Sequence, residues 1–124
     1  SAHAPPPHPS VVTIGTFDGV HMGHRALIHA AREIASHHAG ARVVALAFDP
    51  HPMTRLRPDR APERLSTWDQ RARWLRDAGA DVVEPIEPTD AVLALSPEAF
   101  IQRCIEQHNA IAFVEGSDFH FGAQ

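Results

Sequence analysis

The chain has no lysine. All eleven of its basic residues are arginine, set against fifteen acidic ones, which leaves a net charge of −4 with the histidines neutral. Any phosphate must therefore be held by arginine, histidine, backbone N–H groups or a metal ion, although the missing lysine itself is better explained by a coding bias toward Arg and Ala than by function. Basic clusters are absent too, and duplex affinity needs several phosphates neutralised at once, so nucleic acid is excluded as a partner. Small phosphorylated ligands are not. A single cysteine, Cys104, rules out a disulfide or a Cys-based zinc site, and its place in a helical pattern marks it as core filler. No apolar run approaches the roughly 20 residues of a membrane span, and residues 1–10 lack the apolar stretch of a signal peptide, so the expected location is cytoplasmic with no membrane partner. Neither the Gly-Lys-Ser/Thr of P-loops nor Gly-x-Gly-x-x-Gly occurs. With 124 residues, 44% of them apolar, the chain suffices for one core, the usual domain being about 100 to 150 residues.

What is present is concentrated in ten residues, Gly15-Thr16-Phe17-Asp18-Gly19-Val20-His21-Met22-Gly23-His24, between the apolar run Val11 to Ile14 and a helical pattern starting near Arg25. Glycines here let the chain turn sharply and approach a ligand closely. The helix opening after Met22 offers unpaired N–H groups and the positive end of its dipole, which suits an anion. His21 and His24, at i and i+3, share one side of the first turn, where both imidazoles can donate to phosphate oxygens as negative charge grows on them. Asp18 is read as a turn former, an orienting partner for one imidazole, or an outer-sphere magnesium contact. The plain alternative is a Gly-rich turn with polar surface histidines.

The rest of the pattern alternates. Residues 1–10, with four prolines, form a flexible segment ahead of a single domain over 11–124. Val11 to Gly15 reads as a strand, and Gly23 to about His38 as a helix with Leu27, Ala30, Ala31 and Ile34 on one face and Gly40 as its stop. Arg42 to Phe48 is a buried parallel strand. Residues 50–63, rich in Pro, Arg and Asp, read as a long loop. A capping box at Thr67-Trp68-Asp69-Gln70 begins a helix through Asp77 with Trp68, Ala72 and Leu75 inward, ended by Gly79. Ala80 to Ile86 is a third strand, and Glu87 to Leu95 is a loop with one helical turn. Ser96 caps a helix with Pro97 in first position and Phe100, Ile101, Cys104 and Ile105 on its buried side. Ala110 to Val114 is the fourth strand. This order predicts an α/β doubly wound parallel sheet, in which ligands bind beyond the carboxyl ends of the strands, where the motifs begin.

Two more segments lie at such ends. Pro50-His51-Pro52 follows Ala47-Phe48-Asp49, with His51 held extended by its prolines; it presents a ring to a flavin or adenine, or merely stiffens a loop. In Gly116-Ser117-Asp118-Phe119-His120-Phe121-Gly122, Phe119 and Phe121 alternate so that both rings fall on one side of an extended segment, for stacking on a flat ligand or for core packing. His29, His37, His38 and His108 read as solvated helix residues, and a metal site built from His21, His24 and His51 is disfavoured.

Taken together, Gly-Thr-Phe-Asp-Gly-Val-His-Met-Gly-His, Phe-Asp-Pro-His-Pro and Gly-Ser-Asp-Phe-His-Phe-Gly resemble the signatures of the nucleotidylyltransferase superfamily. Within it they are similar to those of the bacterial FAD synthetases, the flavin adenylyltransferases fused to riboflavin kinase. The resemblance runs from about Val11 to Gly122. It implies a Rossmann-like nucleotidylyltransferase fold and direct in-line adenylyl transfer from ATP to FMN, giving FAD and pyrophosphate, with Mg2+ accompanying ATP. His21 and His24 would be catalytic; Gly15, Thr16, Phe17, Asp18 and Gly23 would hold ATP; Pro50, His51, Pro52, Asp118, Phe119 and Phe121 would hold the flavin. Thr16 departs from a common Asn and His120 from a frequent Arg. The chain ends before the family's later Ser/Thr-rich segment and before the kinase domain, so a C-terminally incomplete domain is expected. A nucleotidylyltransferase for another small phosphomonoester, or a silent flavin- or nucleotide-binding fragment, remains the alternative.

Overall fold

In the computed structural model, which describes residues 8–17, 22–49, 59 and 67–115 (22–24 by backbone alone), four parallel strands form one sheet. They are β1 (Ser10–Gly15), β2 (Arg42–Phe48), β3 (Val82–Ile86) and β4 (Ala110–Glu115), in spatial order β3-β2-β1-β4. The helices are α1 (Met22–Ala35), α2 (Trp68–Ala78), the single turn α3 (Asp90–Leu93) and α4 (Pro97–His108). Each strand rises toward the same end because every connection crosses over through helix, which keeps neighbours parallel.

Alternation along the strands sorts the core into two layers. Val11, Val43, Ala45, Ala47 and Val83 face Ile28, Ala31, Ala35, Ala72 and Leu75 of α1 and α2. Val12, Ile14, Val44, Leu46 and Phe48 face Phe100 and Cys104 of α4, with Val92 and Leu95 alongside. β1 and β2 are buried on both sides, which is why they read as continuous apolar runs. Full burial of a side chain such as Leu75 is worth about 2 kcal/mol.

Local chemistry sets the ends of the elements. Thr67 accepts from the Gln70 N–H while the Gln70 side chain accepts from the Thr67 N–H, closing the expected capping box. The backbone turns out of α2 at Gly79, φ 126°, where an added Cβ would meet Ile28 Cγ2 at 3.4 Å. Ser96 caps α4 by accepting from Ala99 N–H, and Asn109 ends it in the left-handed region at φ 52°. From there the Ser10 hydroxyl donates to the His108 carbonyl at 2.6 Å, fastening the start of β1 to the end of α4. At the same amino-terminal edge of the sheet, Asp81 accepts from Val43 N–H at 2.8 Å and from Arg32 at 2.7 Å.

Five helix positions differ from expectation. His108, expected in solvent, has its side chain 14% exposed, with Nε2 3.4 Å from Glu84 Oε1. Ile101 and Ile105 are exposed at 38% and 41%, because the buried face of α4 runs through Phe100 and Cys104 and no described element covers its flank. Ala30 is likewise exposed, while Ile28 and Ala35 occupy the sheet side of α1. The one large departure is Arg71, buried to 3% exposure on the inward stripe of α2. No helix among the described residues is long and apolar enough to cross a membrane.

Candidate active site at the strand ends

β1 leads through α1 to β2 on one side, whereas β4, arriving from the other helical layer, pairs with β1 on its opposite side. The chain direction therefore divides between β1 and β4, and in open α/β sheets ligands bind beyond the carboxyl ends of the strands at such a point. Gly15, Thr16 and Phe17 stand at that point, followed by the first turn of α1.

Gly15 pairs with Ala47 and is fully covered by the ring of Phe17: a Cβ built on Gly15 would lie 3.2 Å from Phe17 Cζ. Phe17 itself has φ 53°, a left-handed conformation that an L-residue adopts at a cost of about 1 to 2 kcal/mol, and its ring is 1% exposed within the α1 layer of the core. The strained turn thus drives an apolar anchor back beneath the strand end. Of the expected phosphate-binding residues, Phe17 can offer a ligand only its backbone.

Gly23 and His24 fall in the first turn of α1, where four N–H groups lack intrahelical partners and no acidic residue neutralises the dipole. Their side-chain positions, and His21 and Asp18 altogether, lie outside the described residues. So do Pro50, His51, Pro52, Asp118, Phe119 and Phe121. β2 and β4, from which these last segments leave, end on the same side of the sheet as β1.

The residue missed by sequence reasoning is Arg71. Its Nη1 donates to the carbonyls of Thr16 and Phe48, both at 2.8 Å, and its Nη2 donates to Asp49 Oδ1 at 2.5 Å. The guanidinium carbon lies 5.3 Å from the centroid of the Trp68 ring. One buried cation therefore ties the segment after β1 to the segment after β2. A signal existed in the sequence: residues 68, 71, 72 and 75 trace one stripe of the helix, so Arg71 occupies an inward position despite its charge. On the opposite face, burial pushes the Cys104 thiol up from 9.0 to about 11, which suits packing and not nucleophilic chemistry.

Comparison with known proteins agrees with this layout. The FAD synthetase family model matches residues 3–124. The bifunctional riboflavin kinase/FMN adenylyltransferase of Escherichia coli K12 is 36% identical over 91% of this chain, and that of Bacillus subtilis 33% identical over 91%. The chain spans 36% of the length of either relative. A crystal structure described as a macrolide-efflux protein from Streptococcus pneumoniae superposes with a TM-score of 0.83 at 28% identity, covering 95% of this chain and 39% of that one.

Proposed function

The chain belongs to the FAD synthetase family, and we propose that it transfers the adenylyl group of ATP to FMN. An oxygen of the FMN 5′-phosphate attacks the α-phosphorus in line, the bond to the bridging oxygen of pyrophosphate breaks, and FAD is formed. The observation that carries this reading is the position of the Gly15–Phe17 turn and the uncompensated N-terminus of α1 at the point where the sheet divides.

No covalent intermediate is required, so alignment and charge stabilisation suffice. In this reading the α1 N–H groups at Gly23 and His24, with the backbone of Gly15, Thr16 and Phe17, cradle the triphosphate beside Asp18. His21 and His24 donate to the phosphate oxygens that gain charge as pyrophosphate leaves. Pro50, His51 and Pro52 from the β2 side, and Asp118, Phe119 and Phe121 from the β4 side, receive the flavin. Magnesium accompanying ATP would supply positive charge to offset that of the phosphates. Asp49, the carboxylate that follows β2, is engaged by Arg71 and so is not a free metal ligand, which fits a metal held mainly by substrate and water. Such a reaction belongs in the cytoplasm, where ATP and FMN meet.

The test is a panel of FMN, phosphopantetheine and glycerol phosphate, each with ATP and with CTP, read by pyrophosphate release. Release with FMN and ATP alone supports the proposal. Release with another pair would assign a different nucleotidylyltransferase, and binding without release would leave a silent module.

A further inference from the structure

The geometry assigns to Arg71 a positioning role: its guanidinium holds the segments after β1 and β2 in one fixed relation, and with them the two substrates. The inference rests on the adenylyl-transfer reading for the identity of those substrates, but its structural basis is independent of it. The Thr16 carbonyl belongs to the turn that leads into the phosphate-binding end of α1, while Phe48 and Asp49 lead into the Pro-His-Pro segment. A single planar fork serves all three acceptors at once. The Trp68 ring beside it restricts the plane in which the fork lies.

A cation buried to this degree is a poor means of adding stability alone, because taking its charge out of water offsets much of what the contacts return. What it supplies is direction. A carbonyl just beyond β1, a carbonyl at the end of β2 and one carboxylate cannot all keep these distances unless both segments stay in register. In-line transfer depends on that register, since small misplacements of one reactant relative to the other cost large factors in rate even when each still binds. Arg71 touches neither reacting atom in this scheme and acts through the segments it joins.

The experiment compares the parent chain with Arg71→Lys and Arg71→Ala, the latter with and without millimolar guanidinium. Dissociation constants for ATP and for FMN are measured separately by calorimetry, turnover by pyrophosphate release, and backbone amide exchange residue by residue. The expected result for Arg71→Ala is a fall in kcat of about tenfold or more with each dissociation constant within about threefold of the parent. Guanidinium should restore part of the rate. Lysine, which can reach the carbonyls but not Asp49 at the same time, should lie between, and it carries the test if the alanine variant does not fold. Exchange should rise at Thr16–Phe17 and Phe48–Asp49 together, while Val12 and Val44 stay protected.

Weakened binding of both substrates with kcat unchanged, or faster exchange spread evenly through the sheet, would reduce Arg71 to a packing residue and overturn the proposal. A parent chain that releases no pyrophosphate would instead sink the adenylyl-transfer reading. The exchange data would then decide the role of Arg71: loosening of both segments together upholds it, and loosening of one or neither overturns it.

Discussion

The ring of Phe17 closes over Gly15 so tightly that a Cβ at position 15 would stand 3.2 Å from its Cζ. Two residues apart, they close the end of β1. Phe17 holds φ 53° because its ring is sunk among Val11, Ile28 and Ala47, and the ring fits there because residue 15 has no side chain. Everything that follows toward the N-terminus of α1 leaves from this turn.

Gly15→Ala is therefore expected to destabilise the chain by about 1 to 3 kcal/mol, the range for overpacking a tight contact. Urea denaturation measures this. ATP binding should weaken as well, because the displaced Phe17 ring moves the backbone beyond the end of β1, which the proposed function places against the triphosphate. An alanine variant with parental stability and parental ATP affinity would show that the contact relaxes freely.

His24→Ala should leave the circular dichroism spectrum and the melting temperature near those of the parent, since position 24 lies in the first turn of α1 and alanine is the best helix former. Turnover should drop by on the order of a hundredfold or more, as for loss of a donor to a charge-developing oxygen. Equal rates would remove His24 from the chemistry.

Alkaline stability should follow one group. The chain has no lysine, no tyrosine and one cysteine, so between the α-amino group and arginine only Cys104 titrates. Its folded-state pKa is raised to about 11 from 9.0, so the folded chain holds the thiol proton after the unfolded chain has lost it. Stability from this source is complete below pH 9.0 and falls as the pH rises to about 11. The loss amounts to about 3 kcal/mol. Urea midpoints measured across that window should decline for the parent. They should stay level for Cys104→Ala, which starts lower because a buried side chain is gone. Parallel declines in both proteins would place the alkaline sensitivity elsewhere.

Much of this molecule was legible in its residues because the signals were local. The capping box at Thr67 and Gln70, the Ser96-Pro97 start of α4, and the uninterrupted apolar runs of β1 and β2 each encode their own element. Ile101 and Ile105 misled because periodicity marks a face without saying what lies against it. The Phe17 ring is buried in the core, so any part this residue takes in holding ATP falls to its backbone. Arg71 escaped notice because its partners are two backbone carbonyls from segments distant in sequence, and carbonyls leave no mark on residue type. The site residues at 18, 21, 50–52 and 118–121 lie outside the described part of the structure.

Adenylyl transfer stands or falls on product. The chain, incubated with ATP, FMN and magnesium, should form FAD and pyrophosphate in equal amounts, with neither appearing when one substrate is left out. Saturated binding of both ligands with no FAD accumulating over many hours would contradict it.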